Sequence, residues 1–308
     1  MEKHEITPTL AARLVATQFP EWADLPVTPV ELDGWDNTTF RLGDHYTVRL
    51  PSAQGYEAQV DKEQRSLPVL APVLPVAIPE PVAMGRPGCG FPRRWSIYRW
   101  LDGEPATAQT IADPSVFARD VADFLVALQA AAVEDAPAPS AHNGERGGAL
   151  DTYDRETRDT INLLSDRLDG RAALDVWESA LVSRWGRPPV WVHGDVAPSN
   201  LLTTDGRLVA VIDFGCCAVG DPACDLVMAW TFFTAEAGEV FRECVDLDDP
   251  TWVRARGWAL WKALITLARE PPDSLDEVAC RFGWRVGVEQ VIGLILDDHR
   301  SWRGGRHA

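Results

Sequence analysis

The stretch that decides the fold of this chain reads His-Gly-Asp-Val-Ala-Pro-Ser-Asn at residues 193–200, and Ile-Asp-Phe-Gly follows at residues 212–215. The residues between them have the pattern of a β-hairpin, with a turn at Asp205-Gly206 and an apolar second strand. A hairpin returns its second strand beside its first. We therefore expect Asn200 and Asp213 to lie together at one mouth of the ribbon.

Three polar side chains in these stretches have the order and spacing of a site for phosphoryl transfer. Moving a phosphoryl group from a nucleotide to a hydroxyl requires an oriented hydroxyl and a neutralised triphosphate. Asp195 is placed to aim the hydroxyl and accept its proton, while Asn200 and Asp213 offer the oxygen ligands that Mg²⁺ prefers. Each fragment alone is typical of an ordinary turn or strand end, but their conjunction in this order indicates catalysis.

The pattern of secondary structure predicts an α+β fold with two lobes. In the first lobe, residues 1–101, a helix begins at Thr7-Pro8, strands follow around residues 27–32, 38–42 and 46–50, a helix covers 57–70, and an aromatic strand covers 95–100. In the second lobe, residues 102–308, amphipathic spacing predicts helices over 115–132, 152–168 and 172–185 and from about 225 onward. Strands first and helices later favour a small antiparallel-sheet lobe above a larger helical lobe, with a cleft between them.

The composition of the chain limits the classes of partner that it is expected to bind. The formal net charge of −17 over 308 residues disfavours nucleic acid and anionic membrane surfaces, and it favours a cationic small molecule or serves solubility alone. The six cysteines lack zinc-like spacing and are expected to be reduced thiols. No stretch has the pattern of a signal peptide or membrane span, so we expect a cytoplasmic protein, either a monomer or a simple homodimer.

On these motifs the chain resembles the aminoglycoside phosphotransferase and choline kinase-like superfamily, small-molecule kinases with a protein-kinase-like fold whose usual signature is His-Gly-Asp. The resemblance implies that Asp195 is the catalytic aspartate and that Asn200 and Asp213 bind Mg²⁺. It implies that His193 supports the loop, and that Asp225, in Asp-Pro-x-x-Asp at residues 221–225, caps a helix and braces that loop. ATP or GTP would be the phosphate donor.

The same resemblance assigns the nucleotide side. Arg49 stands where the family has a strand lysine, and Glu63 is its acidic partner; a guanidinium also binds phosphate and pairs with carboxylate. Asn37 and Thr38, in the turn at residues 34–39, would meet the β-phosphate. The main chain of Arg99 to Leu101 would meet the purine. The alternatives are a surface arginine, an ordinary turn and a core tryptophan at position 100.

The molecule that accepts the phosphoryl group is the part of the function that the sequence determines least. Carboxylates in the C-terminal third are candidates to hold an aminated ligand, and aromatic residues there suggest either a wall of the site or a helical core: Glu236, Glu239, Glu243, Glu270, Asp297 and Asp298; Trp230, Phe233, Trp258 and Trp261. We expect transfer to a hydroxyl of an aminoglycoside-type antibiotic. The alternatives are a kinase for a macrolide, another antibiotic, choline, homoserine or a sugar, and a catalytically silent kinase-like binding module.

Overall fold

The computed structural model describes residues 2–30, 34–269, 279 and 282–305. Its N-terminal part is a five-stranded antiparallel sheet in the order β1-β2-β3-β5-β4, with bounds β1 Val27–Pro29, β2 Asn37–Leu42, β3 Tyr46–Pro51, β4 Pro81–Gly85 and β5 Trp95–Arg99. Helix α1 (Pro8–Gln18) precedes the sheet and helix α2 (Glu57–Leu70) lies between β3 and β4. The strand expected over 27–32 ends at Pro29, and residues 31–33 lie outside the described residues.

The sheet is packed from both sides. Thr7 caps α1 by accepting a hydrogen bond from the Leu10 backbone, with Pro8 in the first turn as the sequence predicts. Leu14 of α1 is fully buried against an apolar cluster that includes Phe40, Val48 and Trp95 of the sheet. Residues Leu67 and Leu70 of α2 belong instead to the larger core of the C-terminal part. Helix α2 therefore joins the sheet to the rest of the molecule.

Strand β4 is a feature that the sequence did not predict. Its proline-rich approach and the bulge between Pro81 and Ala83 hide the alternation typical of a strand. It pairs with β5 because Gly85 leaves room for the Trp95 indole, which a Cβ at position 85 would approach to 1.9 Å. The proline-rich stretch at residues 72–81 therefore leads into an edge strand.

The C-terminal part is mainly helical around two small sheets. Its helices are α3 Pro114–Ala130, α4 Asp154–Leu163, α5 Gly170–Val182, α6 Met228–Thr231, α7 Ala235–Val245, α8 Asp249–Arg269 and α9 Val288–Gly305. Its strands are β6 Glu104–Pro105, β7 Val190–Val192, β8 Leu201–Thr204, β9 Arg207–Val211 and β10 Ala218–Gly220, paired as β10-β7 and β6-β8-β9. Trp177, Trp191 and Trp258 lie buried in this core. The prediction of an α+β fold with a small antiparallel sheet and a larger helical part is confirmed.

The hairpin β8–β9 leads from Asn200 toward Asp213. Its conformation is fixed by its turn and by one contact with a helix. Its turn residues Asp205 and Gly206 have φ of +52° and +79°, the left-handed backbone that a two-residue hairpin turn requires. Asp120 of α3 accepts two hydrogen bonds from the Arg207 guanidinium and so anchors the hairpin to the helical core. The predicted hairpin is thus present with its predicted turn.

Two further properties concern the described residues. None of their helices combines the length and the apolar character needed to cross a bilayer. Their cysteines are all free: Cys89, Cys216, Cys217, Cys224 and Cys244. Cys280 lies outside the described residues.

Candidate active site

A buried carboxylate holds the loop at residues 193–200 in shape. The Asp225 side chain accepts hydrogen bonds from the backbone N–H groups of His193 and Gly194, both at 2.7 Å. Burial raises the pKa of Asp225, while His193 and the two backbone donors act in the opposite direction. Asp225 thus braces the loop, as expected, but it does not cap a helix. Asp221 caps the short 3₁₀ turn at residues 222–226 instead, by accepting from the Ala223 N–H.

The contacts of His193 define its tautomer. Its Nδ1 accepts a hydrogen bond from the Asp195 N–H at 3.2 Å, so its Nε2 carries the proton and donates to the Ile212 carbonyl at 3.0 Å. Its ring packs edge-on against Phe214, with centroids 4.7 Å apart. Both nitrogens are used within the loop, and the imidazole is fully buried. The residue is a support that ties residues 193–195 to the end of β9.

Asp195 lies between an amide and an ammonium group. Asn200 Nδ2 donates to the Asp195 carbonyl at 2.9 Å and approaches its carboxylate at 3.4 Å, while Lys262 Nζ donates to Oδ1 at 3.1 Å. Burial alone would raise the pKa of Asp195, but the positive charges of Lys262 and Arg146 outweigh it and lower the pKa. The carboxylate is therefore ionised at neutral pH and able to accept a proton.

Asn200 and Asp213 lie side by side, as the hairpin predicts. The Ile212 N–H donates to the Asn200 carbonyl at 2.9 Å, so the residue after Ile212 starts next to Asn200. Asp213 has φ of +66°, a left-handed backbone that turns its carboxylate out of the line of β9. Its side chain is about one-third exposed.

An arginine bridges Asp213, at the end of the hairpin, to helix α2. Arg49 of β3 donates to Asp213 at 2.6 Å and to Glu63 at 3.1 Å, and Glu63 also accepts from the Tyr98 hydroxyl. Burial acts to lower the pKa of Arg49, but Glu63 and Asp213 outweigh it and the pKa is raised. The expected pairing of Arg49 with Glu63 is therefore present, and the guanidinium stays charged beside Asp213.

The residues proposed to meet the β-phosphate lie at the start of a strand. Asn37 and Thr38 open β2, both are buried, and the hydroxyl of Thr38 finds no hydrogen-bond partner within the described chain. The turn itself is at residues 34–36, where the Asp36 carboxylate accepts from Gln59 Nε2 at 2.7 Å and Trp35 is exposed. Burial raises the pKa of Asp36, with Gln59 acting against it. Sequence reasoning had no signal for Asp36.

The segment after β5 contains the residues expected to meet the purine. Arg99 is the last residue of β5 and its exposed side chain pairs with Glu80, so only its main chain faces the interior. The Trp100 N–H donates to the His45 carbonyl at 2.8 Å. In the described structure the Leu101 N–H has no such partner, which leaves it available to a ligand.

Two cations beside Asp195 were not predicted. Arg146 comes from the loop after α3; it donates to the Gly194 carbonyl at 3.1 Å, and its guanidinium lies 4.6 Å from the centroid of the Trp261 ring. Lys262 comes from α8. Neither belongs to a recognisable motif. One local feature of the sequence marks the position of Arg146, namely the glycine pair that follows it. In the structure Gly147 has φ of +82° and packs against β7.

The acceptor candidates are spread over several environments. Asp298 accepts from Arg242 and pairs with Arg256, and Asp297 pairs with Arg300 on the same helix. The carboxylates of α7 are exposed: Glu236, Glu239 and Glu243. Glu270 lies outside the described residues. The aromatic candidates are buried, yet Trp258 and Trp261 also line the small cavity beside Asp195, so they serve both as core and as wall: Trp230, Phe233, Trp258 and Trp261.

Comparison with models of protein families assigns the chain to a family. The chain belongs to the phosphotransferase enzyme family, whose sequence model matches residues 27–258 and so includes the braced loop, the hairpin and the Arg49 bridge. The prediction of a phosphotransferase is thereby confirmed. Comparison with curated protein sequences gives no match.

Several solved structures have the same fold, and their names are more specific than that of the family. The complex of APH(2″)-IIIa with GDP and kanamycin shares 19% identity and a TM-score of 0.66, covering 94% of this chain and 98% of that one. The ternary complex of APH(2″)-IIa with streptomycin and ATP shares 18% identity and a TM-score of 0.60, covering 93% and 99%. The macrolide 2′-phosphotransferase MphH from Brachybacterium faecium, as apoenzyme, shares 23% identity and a TM-score of 0.57, covering 88% and 97%. The chain has the fold of all three.

Proposed function

We propose that the chain transfers the γ-phosphate of ATP or GTP to a hydroxyl of a small molecule, with an aminoglycoside-type antibiotic as the first acceptor class to test. The observation that carries this proposal is the ionised Asp195 carboxylate held next to Asn200, whose main chain is paired to that of Ile212 just before Asp213. The site would lie in a cleft between residues 1–101 and 102–308. Support for the donor and acceptor comes from the structures with GDP and kanamycin and with ATP and streptomycin.

The transfer would be direct and in line. The acceptor hydroxyl donates its hydrogen bond to Asp195, its oxygen forms a bond to the γ-phosphorus, and the bond from that phosphorus to the β-phosphate oxygen breaks, so the nucleoside diphosphate leaves with the electron pair. The proton passes to Asp195. Because the carboxylate is already ionised and fixed by Asn200, its main contribution is orientation of the hydroxyl.

The donor set at the end of the hairpin suits Mg²⁺. Asn200 turns its amide nitrogen toward Asp195, which leaves its oxygen free of that contact, and Asp213 follows Ile212, whose N–H is bonded to the Asn200 carbonyl. One amide and one carboxylate oxygen, completed by substrate phosphates, is the kind of set that Mg²⁺ takes. The described residues contain no cluster of three or more acidic, histidine or cysteine side chains able to hold a metal without substrate. Bound there, Mg²⁺ would neutralise the triphosphate.

The nucleotide would lie across the start of β2 and residues 99–101. Arg49 would pair with its phosphates while Glu63 keeps the guanidinium oriented. Asn37 and Thr38 would contact the β-phosphate, and the open Leu101 N–H would meet the purine, with the Arg99 main chain beside it. The unpartnered Thr38 hydroxyl supports this placement, since a buried hydroxyl without a partner is costly.

Macrolides are the second acceptor class, because MphH has this fold. A panel of kanamycin, gentamicin, an erythromycin-type macrolide, choline, homoserine and a sugar, each with labelled ATP or GTP and Mg²⁺, separates the possibilities. Labelled product with one class identifies the acceptor, and loss of product on chelation supports the metal site. Nucleotide binding without any product would leave the kinase-like binding module as the better account.

A further inference from the structure

The catalytic loop itself carries no positive charge. Between Asp195 and Asn200 the sequence is Val-Ala-Pro-Ser, and the residue two places after the aspartate is the buried Ala197. A phosphoryl group in transfer spreads negative charge over its outer oxygens, and a cation on the acceptor side stabilises that charge. Any such cation must come from outside the loop.

Three cations near the site are already committed. Arg49 bridges Glu63 and Asp213, Arg146 donates to the carbonyls of Gly144 and Gly194, and Lys62 donates to the Gly215 carbonyl. Each of these hydrogen bonds holds a segment of the site in place. Each of these three cations is therefore held by protein groups other than Asp195.

Lys262 is in a different position. The chain has only three lysines among its 29 basic residues, and this one sits in the tryptophan-rich helix α8. Among the described residues its ammonium group has one hydrogen-bond partner, Asp195 Oδ1 at 3.1 Å, and its side chain keeps about one-fifth of its surface exposed. An ammonium group has three donors, so two remain open.

The distances bring those donors within reach of the reacting atoms. The acceptor oxygen must come within about 2.6–3.2 Å of the base, and the phosphorus within about 3–3.5 Å of that oxygen. The ammonium already touches the same carboxylate, and its flexible four-carbon stem allows the open donors to turn toward the phosphoryl oxygens. Such a turn keeps Asp195 in reach.

We propose that Lys262 contacts the transferring phosphoryl group, with one N–H on Asp195 and the others on the phosphoryl oxygens. This role rests on the proposed phosphotransfer. Lys262 takes no part in the proton transfer: the hydroxyl proton goes to Asp195 and the electron pair leaves with the diphosphate. The ammonium group supplies charge on the acceptor side, opposite the side neutralised by Arg49.

The test compares Lys262→Met with Lys262→Arg and with Arg269→Met. Methionine keeps the apolar stem and removes the charge, whereas arginine restores a donor. Arg269 is the matched control, since it lies seven residues further along the same helix and makes an exposed ion pair with Glu156. Melting temperatures establish that each variant is folded. The readouts are kcat and KM for transfer or ATP hydrolysis, and the Kd values of ADP and of a non-hydrolysable ATP analogue.

We expect Lys262→Met to lower kcat about 100-fold, with acceptor KM little changed. It should weaken the triphosphate analogue about tenfold while ADP binds as before. Lys262→Arg should recover most of the loss, and Arg269→Met should match the wild type. Unchanged kcat, equal loss for both nucleotides, or a rise confined to acceptor KM would each overturn the proposal. If no acceptor is phosphorylated at all, the proposed function fails, and the two nucleotide affinities still decide the role of Lys262.

Discussion

Two faces of the candidate site are built differently. The catalytic face, residues 193–200 with Asp225, has its polar groups joined to one another: Asp225 holds two backbone N–H groups, and His193 uses both ring nitrogens. On the nucleotide face, residues 34–38 with Gln59 and residues 99–101, the Thr38 hydroxyl and the Gln59 Oε1 are buried and lack partners within the described chain.

The difference bears on what each face needs from its ligands. A loop braced by its own hydrogen bonds is ordered before substrate arrives, which is what orienting a hydroxyl requires. Unbonded buried polar atoms gain the most from a ligand, because it removes a desolvation cost that the free protein carries. We therefore expect the catalytic face to be preformed and the nucleotide face to be completed by the bound nucleotide.

The largest effect should come from breaking the catalytic face at its brace. Asp225→Ala leaves the N–H groups of His193 and Gly194 buried without an acceptor, at about 1–3 kcal/mol each. We expect a clear fall in melting temperature and a loss of kcat of at least 100-fold. Differential scanning calorimetry and initial rates measure both.

Asp225→Asn is the matched variant, since its amide keeps the shape and one acceptor oxygen. It should fall between wild type and Asp225→Ala in both measurements. An alanine variant as stable and active as the wild type would show that the brace is dispensable.

The next effect tests the link between the two faces. Arg49→Ala leaves Glu63 buried without its cation and removes a phosphate ligand, so we expect nucleotide Kd to rise about tenfold or more and stability to fall. Arg49→Lys should retain much of the affinity, because an ammonium group also binds phosphate. Isothermal titration with ADP and Mg²⁺ gives the affinities, and equal Kd values for all three proteins would contradict the assignment.

A smaller effect should come from the unpartnered hydroxyl of the nucleotide face. Thr38→Val removes the hydroxyl at nearly constant shape, so the free protein should keep or slightly gain stability. Nucleotide affinity should fall about two- to fivefold, since the hydroxyl loses its ligand partner. The two measurements move in opposite directions only if the hydroxyl serves the nucleotide. A loss of stability without a loss of affinity would indicate a purely structural residue.

The smallest effect concerns the two thiols that follow Asp213 in the sequence, Cys216 and Cys217. Burial raises the pKa of Cys216 and of Cys217 to about 12. The reactive thiolate is the deprotonated form, so its fraction stays very small until the pH nears that value. We expect both to resist iodoacetamide at pH 8 in the folded protein and to react after unfolding in guanidinium, as mass spectrometry would show. Fast labelling of the native protein would mean that this region opens.

The sequence was sufficient for the parts of the site that are local. Asp195, Asn200 and Asp213 lie within one loop and one hairpin, so their spacing alone predicts that they meet. The pairing of Arg49 with Glu63 was expected from the family resemblance rather than from spacing.

The rest depends on packing between distant segments. Lys262 reaches Asp195 from a helix 67 residues later, and Arg146 reaches Gly194 from a loop 48 residues earlier. No spacing rule connects such pairs. Strand β4 was missed for a different reason, because its prolines and its bulge hide the alternation of an edge strand.

The most direct test of the account is the rate of nucleotide-dependent phosphorylation by wild type, Asp195→Ala and the control Asp159→Ala, whose carboxylate is exposed on α4. Each protein is assayed with the best acceptor of the panel and for binding of ADP. The account predicts that Asp195→Ala loses at least 1,000-fold in kcat, about the scale of losing a catalytic group, with ADP affinity unchanged and the control fully active. Phosphorylation by Asp195→Ala at the wild-type rate would contradict it.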